Sequence, residues 1–202
     1  VRTSNFDYRI DLNLSHFKNE ITKLPQPEMI RGTKKLSVGE DIYAFWIREY
    51  AGVDPANGDA LYYQDIKDAD GKVTGRQTVN NINNASYYYK GTSIPDLIGG
   101  VTNSIRYKGF DVSALVTFQT GGKFYDGNYA TLMQRGTYGQ ALHVDMLKRW
   151  QNPGDVTDVP RLQRGVSNQD GVSTRYLFDA DYLTVKNINL GYSLPKSLIQ
   201  RV

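Results

Sequence analysis

From Phe110 the chain alternates between apolar and polar positions without a break. Phe110, Val112, Ala114, Val116 and Phe118 fall on one side. Asp111, Ser113, Thr117 and Gln119 fall on the other, with Leu115 the only apolar intruder. Such period-2 alternation predicts a strand with one apolar face. The run is long for an ordinary strand and matches one that crosses a membrane at a tilt. Leu97–Tyr107 predicts a preceding strand, joined to it by the tight turn Lys108-Gly109. A third alternating run begins near the start: Phe6, Tyr8, Ile10, Leu12 and Leu14 share one face, while Asp7, Arg9, Asp11, Asn13 and Ser15 share the other.

Weaker patterns predict further strands. Asp41–Tyr50 is rich in aromatic and β-branched residues, with Tyr43, Phe45 and Ile47 on one face. Ala60–Ile66 is shorter. Tyr182–Tyr192 changes phase, because Leu183 and Val185 are out of step with Ile188, Leu190 and Tyr192. A bulge near Lys186-Asn187 accounts for that. Long connections are expected at 18–40, 67–96 and 120–174, the last with a short helix over Gln140–Trp150. Short ones are expected at Gly52–Gly58 and at Lys108-Gly109. In an up-and-down meander this alternation of long and short sorts the loops onto one rim and the turns onto the other. That is the asymmetry of an outer-membrane barrel, in which Tyr107 and Phe110 would belong to an aromatic girdle. The expected fold is therefore all-β, a fragment of a large antiparallel transmembrane β-barrel with long extracellular loops and short periplasmic turns. Residues 1–202 are read as part of a single barrel domain.

Composition narrows the partners. Hydrophobic residues make up 40% of the chain and mean hydropathy is −0.51. This suits either a soluble β protein or a barrel with a polar lumen. No apolar run is long enough for a transmembrane helix. Cysteine is absent, which removes disulfide and thiolate–metal chemistry. Net charge is +3 with both signs interspersed, so nothing marks a nucleic-acid surface. The N-terminal residues have no signal-peptide pattern and lead straight into a strand, which reads as an internal piece of a longer chain.

Catalytic chemistry finds no footing. His16 and His143 lie far apart without a metal-ligand spacing. Asp68-Ala69-Asp70-Gly71 has the wrong flanking residues for an EF-hand and reads as a tight turn, with a loop-bound calcium left open. Asp54/Asp59 and Asp179/Asp181 are better explained as turn residues than as glycosidase acids. Ser113 and Ser167 lack a nucleophile-elbow context. Gly99-Gly100 lies inside a strand and marks a bend or a close approach. The expectation is no enzyme, no catalytic residue, no cofactor and no metal site. Tyrosine is abundant, with 15 residues. Tyr87, Tyr88, Tyr89, Tyr125 and Tyr129 fall in long connections, where their rings could stack on a ligand or pack the loops together.

Several segments resemble the carboxy-terminal barrel of SusC/RagA-type TonB-dependent transporters of the Bacteroidetes outer membrane. Gly91–Gly100, Tyr107–Asp111 and Gln119–Gly122 resemble that family's G-x-x-x-P-x-x-x-G-G strand, Y-K-x-F-D-L hairpin and Q-x-G-G exit. Val38-Gly39-Glu40 with Gly52-Val53-Asp54-Pro55 and Gly58-Asp59 is similar to its V-G-x…G-V-D-P-x-x-G-D segment. Arg149-Trp150, Pro153-Gly154-Asp155 and Val159-Pro160-Arg161 resemble its R-W…P-G…P-R loop. Asp181–Leu183 and Lys186–Pro195 resemble its late strand, with Thr184 where the family has Arg. The resemblance implies a late barrel segment of a much longer polypeptide, lacking the plug and the final strands. It also implies nutrient uptake of oligosaccharides or peptides under a SusD/RagB-like lipoprotein lid. TonB-ExbB-ExbD would act through the plug region. Asp7, Arg9 and Asp11 would face the lumen, and Phe110, Val112, Val116 and Phe118 would face lipid. The alternatives are a soluble β-sandwich carbohydrate-binding module and, more remotely, a β-rich hydrolase.

Overall fold

The computed structural model describes residues 1–3, 5–134, 136, 138–165 and 170–195. In chain order its strands are β1 (Phe6–Ser15), β2 (Glu28–Arg31), β3 (Lys34–Ser37), β4 (Ala44–Arg48), β5 (Tyr50–Val53), β6 (Ala60–Lys67), β7 (Val73–Val79), β8 (Tyr87–Thr92), β9 (Leu97–Tyr107), β10 (Phe110–Thr120), β11 (Lys123–Tyr125), β12 (Leu177–Asp179) and β13 (Tyr182–Tyr192). One short α-helix, α1, spans Gly127–Leu132. The chain divides into two compact units. The first holds Val1–Lys18, Ile94–Gly122 and the described residues from Asp179 on; the second holds Asn19–Ser93 and Lys123–Phe178.

The first unit is a four-stranded antiparallel sheet in the order β1-β9-β10-β13. Its strands are the long ones, each of 10 or 11 residues. The β9–β10 turn has φ of 45° at Lys108 and 90° at Gly109. Positive φ at both central residues matches the right-handed twist of a two-residue hairpin. In β13 the register slips by one residue: Leu115 faces Asn187 and Val116 faces Val185, so Lys186 is the extra residue. This bulge restores Leu183 and Val185 to the side of Ile188, Leu190 and Tyr192, as the broken phase required. At Gly99 a Cβ would lie 2.6 Å from the Phe118 ring and 2.7 Å from Leu14, so the glycine there serves a close approach.

Four expectations change. β1 pairs directly with β9 over its whole length, from Phe6↔Tyr107 to Ser15↔Ile98. Residues 16–96 are therefore one excursion, and the strands at 41–50 and 60–66 are not neighbours in the long sheet. The Gly52–Gly58 turn lies within that excursion, not opposite its loops. The connections are also not structureless. β2, β3 and β7, β8 lie in 18–40 and 67–96; β11, α1 and β12 lie in or against 120–174. The single strand expected at 41–50 is two, β4 and β5. The helix expected over Gln140–Trp150 is a 3-10 turn, Val144–Lys148, with Met146 buried. Strands of three or four residues hold too few alternations to be read by period. The asymmetry itself persists in the long sheet. Both long excursions leave from the end at Ser15, Leu97, Thr120 and Tyr182, and the two-residue turn closes the other end.

The second unit has two sheets, β2-β3-β4-β8 and β5-β6-β7, and the small pair β11-β12. One core joins Ala60, Tyr62, Ile82 and Ala85 under Tyr50 and Val79. Another joins Met133, Met146, Val159 and Tyr176 under Tyr125, Tyr129, Ala130 and Leu142.

Candidate functional site

Register carries the two-faced character of single strands across the whole long sheet. Side chains directly opposite in antiparallel strands share a face. One face holds Phe6, Tyr8, Ile10, Leu12 and Leu14 of β1 beside Tyr107, Ile105, Asn103, Val101 and Gly99 of β9. It continues with Phe110, Val112, Ala114, Val116 and Phe118 of β10 and with Tyr192, Leu190, Ile188, Val185 and Leu183 of β13. Within these five described rows Asn103 is the only polar side chain other than the tyrosine hydroxyls, and the Tyr8 hydroxyl donates to its Oδ1 at 2.9 Å. The row nearest the turn is aromatic on all four strands: Phe6, Tyr107, Phe110 and Tyr192. The Phe110 and Tyr192 rings lie 4.4 Å apart. The alternation at Tyr107 and Phe110 pointed to this row; its full width needed the pairing.

This apolar face is uncovered. Leu190 is 76% exposed, Leu183 73% and Ile188 68%. In a sandwich these positions would be buried against a second sheet.

The opposite face is polar, and its charges are graded. The row Asp7–Arg106–Asp111 lies next to the turn end. The next two rows carry Arg9 and Asp11, whose side chains pair at 2.8 Å. The remaining rows toward the excursions hold Asn13, Thr117 and Thr184, then Ser15, Ile98, Gln119 and Tyr182, without charge. An open concavity of about 350 Å³ lies over the charged rows, lined by Asp7, Arg9, Ser104, Arg106, Asp111 and Ser113. Sequence-selected Asp7, Arg9 and Asp11 are thus brought together on one face, and Phe110, Val112, Val116 and Phe118 on the other.

The tyrosines are distributed differently. Tyr87, Tyr88 and Tyr89 lie on strand β8, not in a loop. Trp46 stacks on Tyr87 at 6.1 Å and tilts against Tyr89 at 4.7 Å. Arg48 lies over the Tyr87 ring, and Lys35 over Trp46. The Tyr88 hydroxyl donates to Asp65 at 2.5 Å and the Tyr89 hydroxyl to Ser37 at 3.0 Å. Trp46, missed in the sequence, is the centre of this cluster; cross-strand pairing with β8 is what assembles it. Tyr125 and Tyr129 pack on the methionine core. Burial, helped by Tyr176, pushes Tyr125 up to about 12. Burial and the hydrogen bond to Asp145 do the same for Tyr129, to about 12. Tyr125 also borders a pocket of about 320 Å³ with Ala130, Thr131, Gln134, Asp170 and Tyr176.

The remaining polar candidates have structural partners. Asp68 Oδ1 accepts from the Asp70 and Lys72 amides, closing the turn. Asp54 caps Ala56, and Asp181 accepts from the Gly121 amide. His16 Nδ1 lies 2.5 Å from the Asp96 carbonyl, and His143 Nδ1 accepts from the Asp145 amide. Ser113 accepts from Asn189. Ser167 lies outside the described residues. Buried Asp59 accepts from Arg161 at 2.8 Å and from Asn80 at 3.0 Å. Beside it Trp150 Nε1 donates to the Pro55 carbonyl, and the Arg161 amide to Gly58. Gly58 has φ of 77°, and a Cβ there would lie 2.5 Å from the Trp150 ring. The two motifs Gly52–Asp59 and Arg149–Arg161 therefore form one clasp.

No family model matches the chain. TonB-dependent receptor P3 of Formosa agariphila is 29% identical, with the match covering 98% of this chain and 21% of that receptor. TonB-dependent receptor SusC of Bacteroides thetaiotaomicron is 26% identical, covering 96% of this chain and 19% of SusC. A chain of the RagAB peptide importer in its "closed-closed" state superimposes with a TM-score of 0.79 at 24% identity, over 98% of this chain and 22% of that one. The chain spans about a fifth of the length of the curated relatives it matches. Its resemblance to SusC/RagA-type TonB-dependent transporters holds in sequence as well as in motif, and its fold is that of an all-β segment of such a barrel.

Proposed function

We propose that this chain, similar over nearly its whole length to TonB-dependent receptors, forms part of the wall and outer loops of an outer-membrane importer. The observation that carries this reading is the long sheet with one uncovered apolar face and one charged face. From the Phe6 row to the Leu14 row the apolar face runs about 27 Å along the strand, at about 3.4 Å per residue. At a tilt near 40° that is about 20 Å of height, close to the apolar band of such barrels. In this reading Phe110, Val112, Val116 and Phe118 meet lipid. Asp7, Arg9 and Asp11 line a wet lumen.

The excursions at 16–96 and 121–181 then face the outside, where a SusD/RagB-like lipoprotein lid delivers oligosaccharide or peptide. TonB-ExbB-ExbD supplies the work through a plug. Of the proposed ligand tyrosines, Tyr87 is the most accessible, and Tyr125 borders the pocket beside α1. The chain's part is passive: it holds the wall and presents the loops, and no residue here does covalent chemistry.

These 202 residues have no cysteine, so single cysteines placed among them, in a full-length protein with any cysteine elsewhere replaced by serine, can map both faces in vesicles. A fluorophore at Val112→Cys or Leu190→Cys is expected to be quenched by a lipid-phase quencher and spared by iodide. A fluorophore at Asp11→Cys or Ser104→Cys is expected to behave the opposite way. Iodide quenching at Val112 and Leu190 would overturn the reading.

A further inference from the structure

The turn end of the long sheet carries a second concavity, of about 200 Å³, which the importer reading leaves unused. Two turns build it. Arg2 bridges back to Asp7. The Lys108 amide donates to the Asn5 carbonyl at 3.2 Å, tying the β9–β10 turn to the chain entering β1. Arg2, Arg106 and Lys108 line it with three positive charges, and Asp7 is the single lining carboxylate. Arg2 Nε lies 3.9 Å from Asp7. Even with Asp111, opposite Arg106 in register, the cations outnumber the carboxylates.

Its position gives it a ligand. Phe6 lines the concavity and belongs to the aromatic row, and Lys108 Nζ lies 5.2 Å over the Tyr107 ring of the same row. Aromatic rows mark the headgroup level of a bilayer, and cations just beyond them meet lipid phosphate. Arginine offers a forked pair of donors to phosphate oxygens, and lysine a point charge. We propose that this concavity binds the phosphodiester of an anionic phospholipid headgroup, with Arg2 and Lys108 as its main donors. Asp7, at the turn end of the polar face, lowers the net charge of the concavity toward what a singly charged diester balances. The inference rests on the reading that the apolar face meets lipid.

The test uses the full-length protein in detergent, loaded with phosphatidylglycerol or phosphatidylcholine and examined by native mass spectrometry. The wild type is expected to retain phosphatidylglycerol at least tenfold better than phosphatidylcholine. The Arg2→Gln/Lys108→Gln variant should lose that preference, and millimolar inorganic phosphate should not displace the lipid. Equal retention of the two lipids, or an unchanged preference in the variant, overturns the site. Displacement by inorganic phosphate makes it a free-phosphate site and overturns the lipid assignment. If the double variant fails to assemble, Lys108→Gln against Lys108→Arg carries the comparison, with preference lost in the first and kept in the second. The quenching experiment at Val112 separates the failures. Quenching by lipid without headgroup preference removes only this site, whereas no lipid quenching removes the lipid-facing reading itself.

Discussion

Asn103 stands in the middle row of the apolar face, between Ile10 and Ala114. An amide there is tolerated because the Tyr8 hydroxyl satisfies its carbonyl oxygen. Removing one partner strands the other, whereas removing both is cheap. Tyr8→Phe is expected to lower stability by about 1–3 kcal/mol, and Asn103→Leu added to it should restore most of the loss. Urea unfolding in lipid vesicles measures both; a silent Tyr8→Phe would mean that this row is wet. Asp59 is the corresponding case in the second unit, a buried carboxylate between Arg161 and Asn80. Asp59→Ala should cost about 3 kcal/mol, the low end for a broken buried pair, because Arg161 retains some contact with water. Hydrogen exchange at the Trp150 and Arg161 amides should accelerate by about 100-fold if opening follows that loss. Glu49 makes a pH prediction. Burial alone would push its carboxyl up, but hydrogen bonds from Lys90 at 2.5 Å and Arg76 at 2.6 Å outweigh it and hold it below its ordinary value. A lowered carboxylate stabilises the fold above the unfolded-state pKa, and that support is lost as pH falls through the folded one. Its share is therefore present at neutral pH, starts to fade at the ordinary glutamate value of about 4.3 and is lost only below the lowered folded one. Glu49→Gln should flatten the acid limb of thermal stability measured from pH 7 to pH 3.

At the scale of elements, the β9–β10 hairpin is the most locally determined piece. Unbroken alternation in β10 and the Lys108-Gly109 turn agree with each other, and so do the turn's two positive φ values. The prediction that belongs here is Val116→Lys, in the row shared with Leu12, Val101 and Val185. It should cost about 2–4 kcal/mol near the bilayer midplane, read as a lower urea midpoint of the assembled barrel. Unchanged assembly and midpoint would put Val116 away from lipid. The β13 bulge was equally legible, because one extra residue flips every later side chain and leaves a break in phase. The short strands β2, β3, β5, β11 and β12 left no such trace. The tyrosines of β8 read as loop residues because no alternation distinguishes three consecutive rings.

At the scale of the molecule, the uncovered apolar face sets the behaviour in water. These 202 residues produced alone should associate or precipitate without detergent, and sedimentation velocity checks it. A stable monomer in plain buffer would favour a soluble sandwich instead. What the amino-acid order determined by itself is whatever repeats locally: the two faces of β1, β10 and β13, the tight turn, the bulge, and the family motifs that pointed to a transporter barrel. Only the tertiary structure decided which segments are neighbours. It set β1 against β9 across one long excursion, gathered the charges into three rows, centred the β8 tyrosines on Trp46, and closed Gly58 under Trp150. The reason is physical. Side-chain alternation follows from the geometry of a single strand, whereas pairing of distant segments is chosen by register and by the packing of groups that share no local pattern.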